Sequence, residues 1–202
     1  IKAYGVSWKG KSTDDLVISR FSRIKSTDEI WQWIRQVKKI RPELTDFLDF
    51  MAVTGLRYNE AVSSYNLILK LSRENKLLQY YNVEKEALEH YKFKELFIRK
   101  SKKAFISFVP KQLIDRIVRN HETFTRFAVQ KRIQKAGLKI RLTDIREAHA
   151  SVLTKYLTQP EIDFLHGRVG ASVFMQNYFN PALINDLKDR VFKAIAEIQT
   201  KI

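Results

Sequence analysis

The chain has 202 residues, is 45% hydrophobic and 12% aromatic, and carries 37 Lys plus Arg against 22 Asp plus Glu, a net charge of +15. That apolar content excludes a disordered basic tail, and the lack of Cys excludes a disulfide scaffold, thiolate zinc sites and a Cys nucleophile. No run approaches the ~18 apolar residues of a membrane span and no apolar signal stretch opens the chain, so a soluble, cytoplasmic protein with an anionic partner is expected.

Residues 1–25 read as an arm or the remnant of a preceding domain. Ser26-Thr27-Asp28-Glu29 then supplies a cap candidate and first-turn acids for a helix through Trp31, Ile34 and Val37. Pro42 opens the next helix, Leu44, Phe47, Leu48 and Met51 form its apolar stripe, and Gly55 ends it. A third helix begins near Tyr58. The pattern over 62–97 predicts mostly helix, with a break around Tyr81-Asn82. Residues 96–99 and 104–109 read as two strands around the basic turn Lys100-Ser101-Lys102-Lys103. A short helix through Leu113, Ile114 and Ile117 follows, then a helix near 124–136 ending at Gly137. Thr143 or Asp144 caps a helix over about 143–157, and Pro160 starts another. Gly167 and Gly170 mark a turn before a helix carrying Tyr178, which Asn180-Pro181 breaks. An amphipathic helix over about 182–200 packs its apolar stripe either on its own domain or on a neighbouring copy. The expected fold is α+β, mainly α, with a small antiparallel β-hairpin or sheet. Residues 26–202 form one domain.

Charge is concentrated. Residues 1–91 hold 15 basic and 12 acidic residues, a net of +3, and residues 142–202 hold seven of each. Residues 92–141 hold 15 basic residues against Glu95, Asp115 and Glu122, a net of +12. A solvated surface would mix the signs, whereas a one-sided block suits phosphates. Arg99, Lys100, Lys103, Lys131, Arg132 and Lys135 are the DNA-binding candidates within it.

Four His residues (His90, His121, His149, His166) have no ligand spacing, and no glycine-rich phosphate loop is present. His149 and His166 read as structural or DNA-facing rather than catalytic. What the chain offers is Arg, Lys and Tyr, the parts for metal-free attack on a phosphodiester. Their context is more specific. Thr54-Gly55-Leu56-Arg57-Tyr58-Asn59-Glu60-Ala61 resembles the first arginine box of the tyrosine recombinases, the phage-type integrases and their relatives. Ser101-Lys102-Lys103-Ala104-Phe105-Ile106-Ser107-Phe108-Val109-Pro110 is similar to that family's lysine segment. Asp144-Ile145-Arg146 resembles the second arginine motif, and Leu165-His166-Gly167-Arg168 with Tyr178 ten residues on resembles the terminal box. All stand in the family's order across roughly residues 28–202. Arg168 in place of the usual third-box His most resembles integrases of archaeal spindle-shaped viruses and related plasmids.

The resemblance implies a catalytic domain in which Tyr178 is the nucleophile, with Tyr156 the fallback. Arg57, Arg146 and Arg168 would bind the phosphate, and Lys102 would be the general acid, in competition with Lys100 and Lys103. Thr143 stands where the family usually has His, which leaves a neighbouring Lys, the DNA or water as the proton acceptor. No cofactor and no metal is implied. The implied partner is double-stranded DNA at attachment sites, bound by a homotetramer that is monomeric when free. The rival readings are a type IB topoisomerase-like relaxing enzyme and a non-catalytic basic DNA-binding protein.

Overall fold

The computed structural model describes residues 12, 14–15, 26–100, 102–169 and 186–202. Helix α1 (Thr27–Ile40) follows an extended Ser26, although the Ser26 hydroxyl makes no capping bond. Asp28 and Glu29 lie at its positive end and Lys38 and Lys39 at its negative end, each complementing the helix dipole. Ile30, Trp31, Ile34 and Val37 are buried at helical spacing. Pro42–Leu44 make one 3₁₀ turn into α2 (Thr45–Thr54). Every residue of α2 from Phe47 to Thr54 is buried, so this helix is the centre of the core. It ends where Gly55 takes φ 58°, a conformation a Cβ would penalise.

Helix α3 (Tyr58–Arg73) packs on α2. Tyr65 meets Phe47 edge-on at 5.5 Å, and Phe124 packs against both rings. Beyond Arg73 the expected helix over 62–97 does not continue. Asn75 adopts φ 55°, its N–H bonds the Ser72 carbonyl at 3.0 Å, and the Lys76 N–H reaches back to Leu71 at 2.7 Å. That pair of bonds is a Schellman stop with Asn in the glycine position. After it the chain forms β1 (Tyr81–Asn82) and β2 (Ala87–Leu88), then one helical turn, α4 (Lys94–Phe97).

The expected hairpin at 96–110 is therefore corrected in part. Leu96 and Phe97 of its first half belong to α4, while Ile98 and Lys103 form a single bridge across the turn and Arg99 and Lys102 exchange backbone hydrogen bonds. Its second half, β3 (Ser107–Phe108), pairs antiparallel with β2, giving a three-stranded sheet in the order β1-β2-β3. A buried chain of polar groups ties this sheet to α3. The Ser64 hydroxyl meets the Tyr80 hydroxyl at 2.8 Å, Tyr80 meets His90 Nδ1 at 2.6 Å, and His90 Nε2 meets the Ser107 hydroxyl at 2.9 Å.

Helices α5 (Lys111–Val118), α6 (Arg126–Lys135), α7 (Leu142–Leu153) and α8 (Gln159–Leu165) follow. The Thr125 hydroxyl caps α6 by accepting from the Ala128 N–H at 3.1 Å. The expected cap of α7 shifts, because that helix begins at Leu142 and Thr143 lies inside its first turn. The last helix, α9 (Leu187–Lys201), buries Leu187, Val191, Ala194, Ile195 and Ile198. It packs on α7, α2 and α1 of its own chain. Arg190, held by Glu161 at 2.8 Å, and Lys155, held by Glu197 at 2.6 Å, pin its flanks. Of the two packings open to this helix, the intrachain one is observed. Gly170, Tyr178 and Asn180-Pro181 lie outside the described residues. Among the described residues no helix is long and apolar enough to cross a membrane.

Candidate active site and DNA face

The site is assembled at helix ends. The Gly55 turn delivers Arg57 to the start of α3, where its backbone N–H and guanidinium both bond the Glu60 carboxylate three residues on. Glu60 is 1% exposed at its side chain and also receives Arg99 at 3.4 Å. A buried carboxylate thus holds the two arginines at fixed positions. Sequence reasoning did not single out this role of Glu60, although its spacing from Arg57 is that of a helix capping pair.

Arg146 projects from the second turn of α7. Its Nη1 donates to the Gly55 carbonyl at 2.7 Å and its Nη2 to the His166 carbonyl at 2.6 Å. Burial pushes its guanidinium down to about 10, and the nearby Arg57 and Arg168 cations push the same way. Arg168 follows α8 on a turn made by Gly167 at φ 61°. Its side chain is 54% exposed and its Nη1 stands 3.7 Å from Asp163.

The basic loop docks on this frame through its backbone. The Lys103 carbonyl accepts from Arg57 Nη1 at 3.2 Å. A Cβ on Gly167 would stand 1.7 Å from that same oxygen, so only glycine permits the contact. Lys102, exposed, then faces the arginines. Arg57, Lys102, Arg146 and Arg168 line one open cleft of about 380 Å³, together with Tyr58, Asn59, Thr143 and Glu147. Three arginines and a lysine around one hollow make a strong anion site, in which Arg146 is lowered first by burial and further by the Arg57 and Arg168 cations. Thr143 lines the cleft from α7 but carries no group that could accept a proton at neutral pH. Tyr178 lies outside the described residues. Tyr156, the fallback, is bound at its hydroxyl to Glu197 at 3.0 Å, on the α9 side of α7.

The remaining basic candidates divide. Lys100, Lys131 and Lys135 are exposed, and Lys103 is half-buried. Arg99 serves Glu60. Arg132 is paired: Glu122 takes both its terminal nitrogens, one at 2.9 Å, and its guanidinium lies over the Phe124 ring. Among the described residues no group of three or more His, Asp and Glu stands where it could hold a metal ion. His149 and His166 are buried behind Arg146.

Residues 22–197 match the model of a family described as archaeal phage integrase. No curated protein and no solved structure matches the chain.

Proposed function

The chain belongs to the archaeal phage integrase family, and from that premise we propose that it is a site-specific tyrosine recombinase acting through a 3′-phosphotyrosine. Family membership supports a site-specific integrase function and so a DNA partner. The finer reading rests on one observation, the shared lining of the cleft by Arg57, Lys102, Arg146 and Arg168. In this reading residues 26–202 are the catalytic domain and residues 1–25 an arm, and four copies act on paired attachment sites.

The Tyr178 oxygen attacks the scissile phosphorus and the bond to the 5′-oxygen breaks. Lys102 protonates that leaving oxygen, and the tyrosine proton passes to a neighbouring Lys, the DNA or water. Arg57, Arg146 and Arg168 bind the non-bridging oxygens, whose negative charge grows in the transition state. Attack by a partner strand's 5′-hydroxyl reverses the step. Bond energy is kept in the phosphotyrosine, so the cycle balances without a nucleotide. Lys100, Lys131 and Lys135 hold the flanking backbone.

The test is trapping on a nicked suicide substrate. The wild-type chain should give a covalent protein–DNA adduct, and Tyr178→Phe should bind the same DNA and give none. An adduct with the Phe variant would refute the nucleophile, and no adduct with the wild type would leave a non-catalytic DNA-binding protein. Supercoil relaxation without exchange between paired sites would identify a topoisomerase-like enzyme instead.

A further inference from the structure

Behind Arg146 two imidazoles lie stacked. The His149 and His166 rings are 5.2 Å apart at 22°, and His149 Nδ1 meets His166 Nε2 at 3.0 Å. Both residues are buried, His149 to 3% and His166 to 1% exposure. His149 sits on α7 one turn past Arg146. Its ring presses on Gly55 so closely that a Cβ there would stand 2.2 Å from Nδ1. His166 carries, on its backbone, the carbonyl that takes Arg146 Nη2. The two acceptors of the Arg146 fork, at Gly55 and His166, are thus each backed by one ring of the pair.

One set of tautomers suits the surroundings. His149 also hydrogen-bonds the Val53 backbone; because its Nδ1 faces His166 Nε2, we assign that bond to Nε2–H, which makes Nδ1 an acceptor. His166 must then donate from Nε2, and its Nδ1 is a bare lone pair with no partner among the described residues. Burial and the adjacent arginines lower both rings, His149 to about 3, so both are neutral at physiological pH. A second cation here would repel Arg146, whereas two neutral rings hold it without adding charge. An apolar pair would fill the space but would lack the directional bond that sets the angle between the rings.

We propose that His149 and His166 are positioning residues for strand cleavage, a stacked and hydrogen-bonded prop that fixes the Gly55 and His166 carbonyls and through them the Arg146 guanidinium. This role rests on the recombinase reading above. It requires that misplacing Arg146 slows chemistry more than it weakens binding, because the cleft keeps its other cations.

The experiment compares His166→Leu with His166→Gln, whose amide N–H can stand where Nε2–H stood. Single-turnover cleavage of a suicide substrate should fall about 10- to 100-fold in the Leu variant, with DNA affinity within about twofold of wild type. The Gln variant should recover to within about threefold of wild type. Wild-type cleavage by the Leu variant overturns the proposal, as does equal loss in both variants when each unfolds at the wild-type urea midpoint. If the Leu variant fails to fold, nitrogen NMR of the histidines in the wild-type chain decides. Two neutral Nε2–H rings are expected at pH 7, and a charged or Nδ1–H ring in either position overturns the arrangement. If the wild-type chain forms no adduct at all, the cleavage reading itself falls and takes this role with it.

Discussion

Lowering the pH from 7 to 5 should cost this protein about 6 kcal/mol of stability, and the cause is three buried histidines. His90 and His149 are held down to about 3 and His166 lower still, in each case first by burial. In the unfolded chain they titrate near 6.5. A histidine whose native value lies below its unfolded one contributes full stability above about 6.5 and loses it as the pH falls below that point. The loss is about 1.4 kcal/mol per pH unit per group, so about 2 kcal/mol each at pH 5. Any native value under about 4 gives the same figure there. Together the three amount to about 6 kcal/mol, set against a total of about 5–15 kcal/mol for a typical domain. The carboxylates held low, Glu89, Glu122, Glu161 and Glu197, enter only as the pH falls below about 4.5. The window from 6.5 to 5 therefore reports histidine alone. Urea unfolding followed by tryptophan fluorescence at half-unit intervals measures it, and His90→Gln should remove about a third of the slope. A flat stability between pH 7 and 5 would refute the burial argument.

Other expectations follow from single contacts. Gly167→Ala sets a Cβ at 1.7 Å from the Lys103 carbonyl in a left-handed residue; it should cost about 3 kcal/mol in urea unfolding and displace Lys102 enough to slow cleavage about 100-fold. Arg190→Ala strands Glu161, whose side chain is only 5% exposed, so urea unfolding should show a loss of about 2–3 kcal/mol, while Asp186→Ala should show little. Lys131→Ala and Lys135→Ala should each lower the slope of log affinity against log salt by about 0.9, whereas Arg132→Ala, already neutralised by Glu122, should change it far less.

Much of the helical frame was legible along the chain. Acids opening α1, Pro42, the Gly55 stop and the Gly137 stop of the helix near 124–136 are local signals, each set by a residue's own backbone preference. The helix overrun past Arg73 had a local cause as well. Glu84, Lys85 and Glu86 are strand-poor residues of good or neutral helix propensity, and they hid the stop at Asn75. Asn75 is a weaker signal than glycine, since only some asparagines take the left-handed conformation. The pairing of Ser107–Phe108 with Ala87–Leu88 was out of reach, because strands this short take their register from distant partners rather than from their own pattern.

The candidate site divides in the same way. By itself the sequence marked the candidate arginines, lysine and tyrosine, where the positive charge is concentrated, and the order in which the arginine and lysine segments occur. Spacing along the chain carries such information because turns and caps are decided within a few residues. Only the tertiary structure decided that Glu60 holds Arg57 and Arg99, that Arg132 is spent on Glu122, and that α9 packs on its own chain. It also decided that the Lys103 carbonyl fills the space Gly167 leaves open, and that His149 and His166 stack behind Arg146. Each of those joins residues from separate segments, and their energy depends on burial and distance, which exist only once the helices have packed.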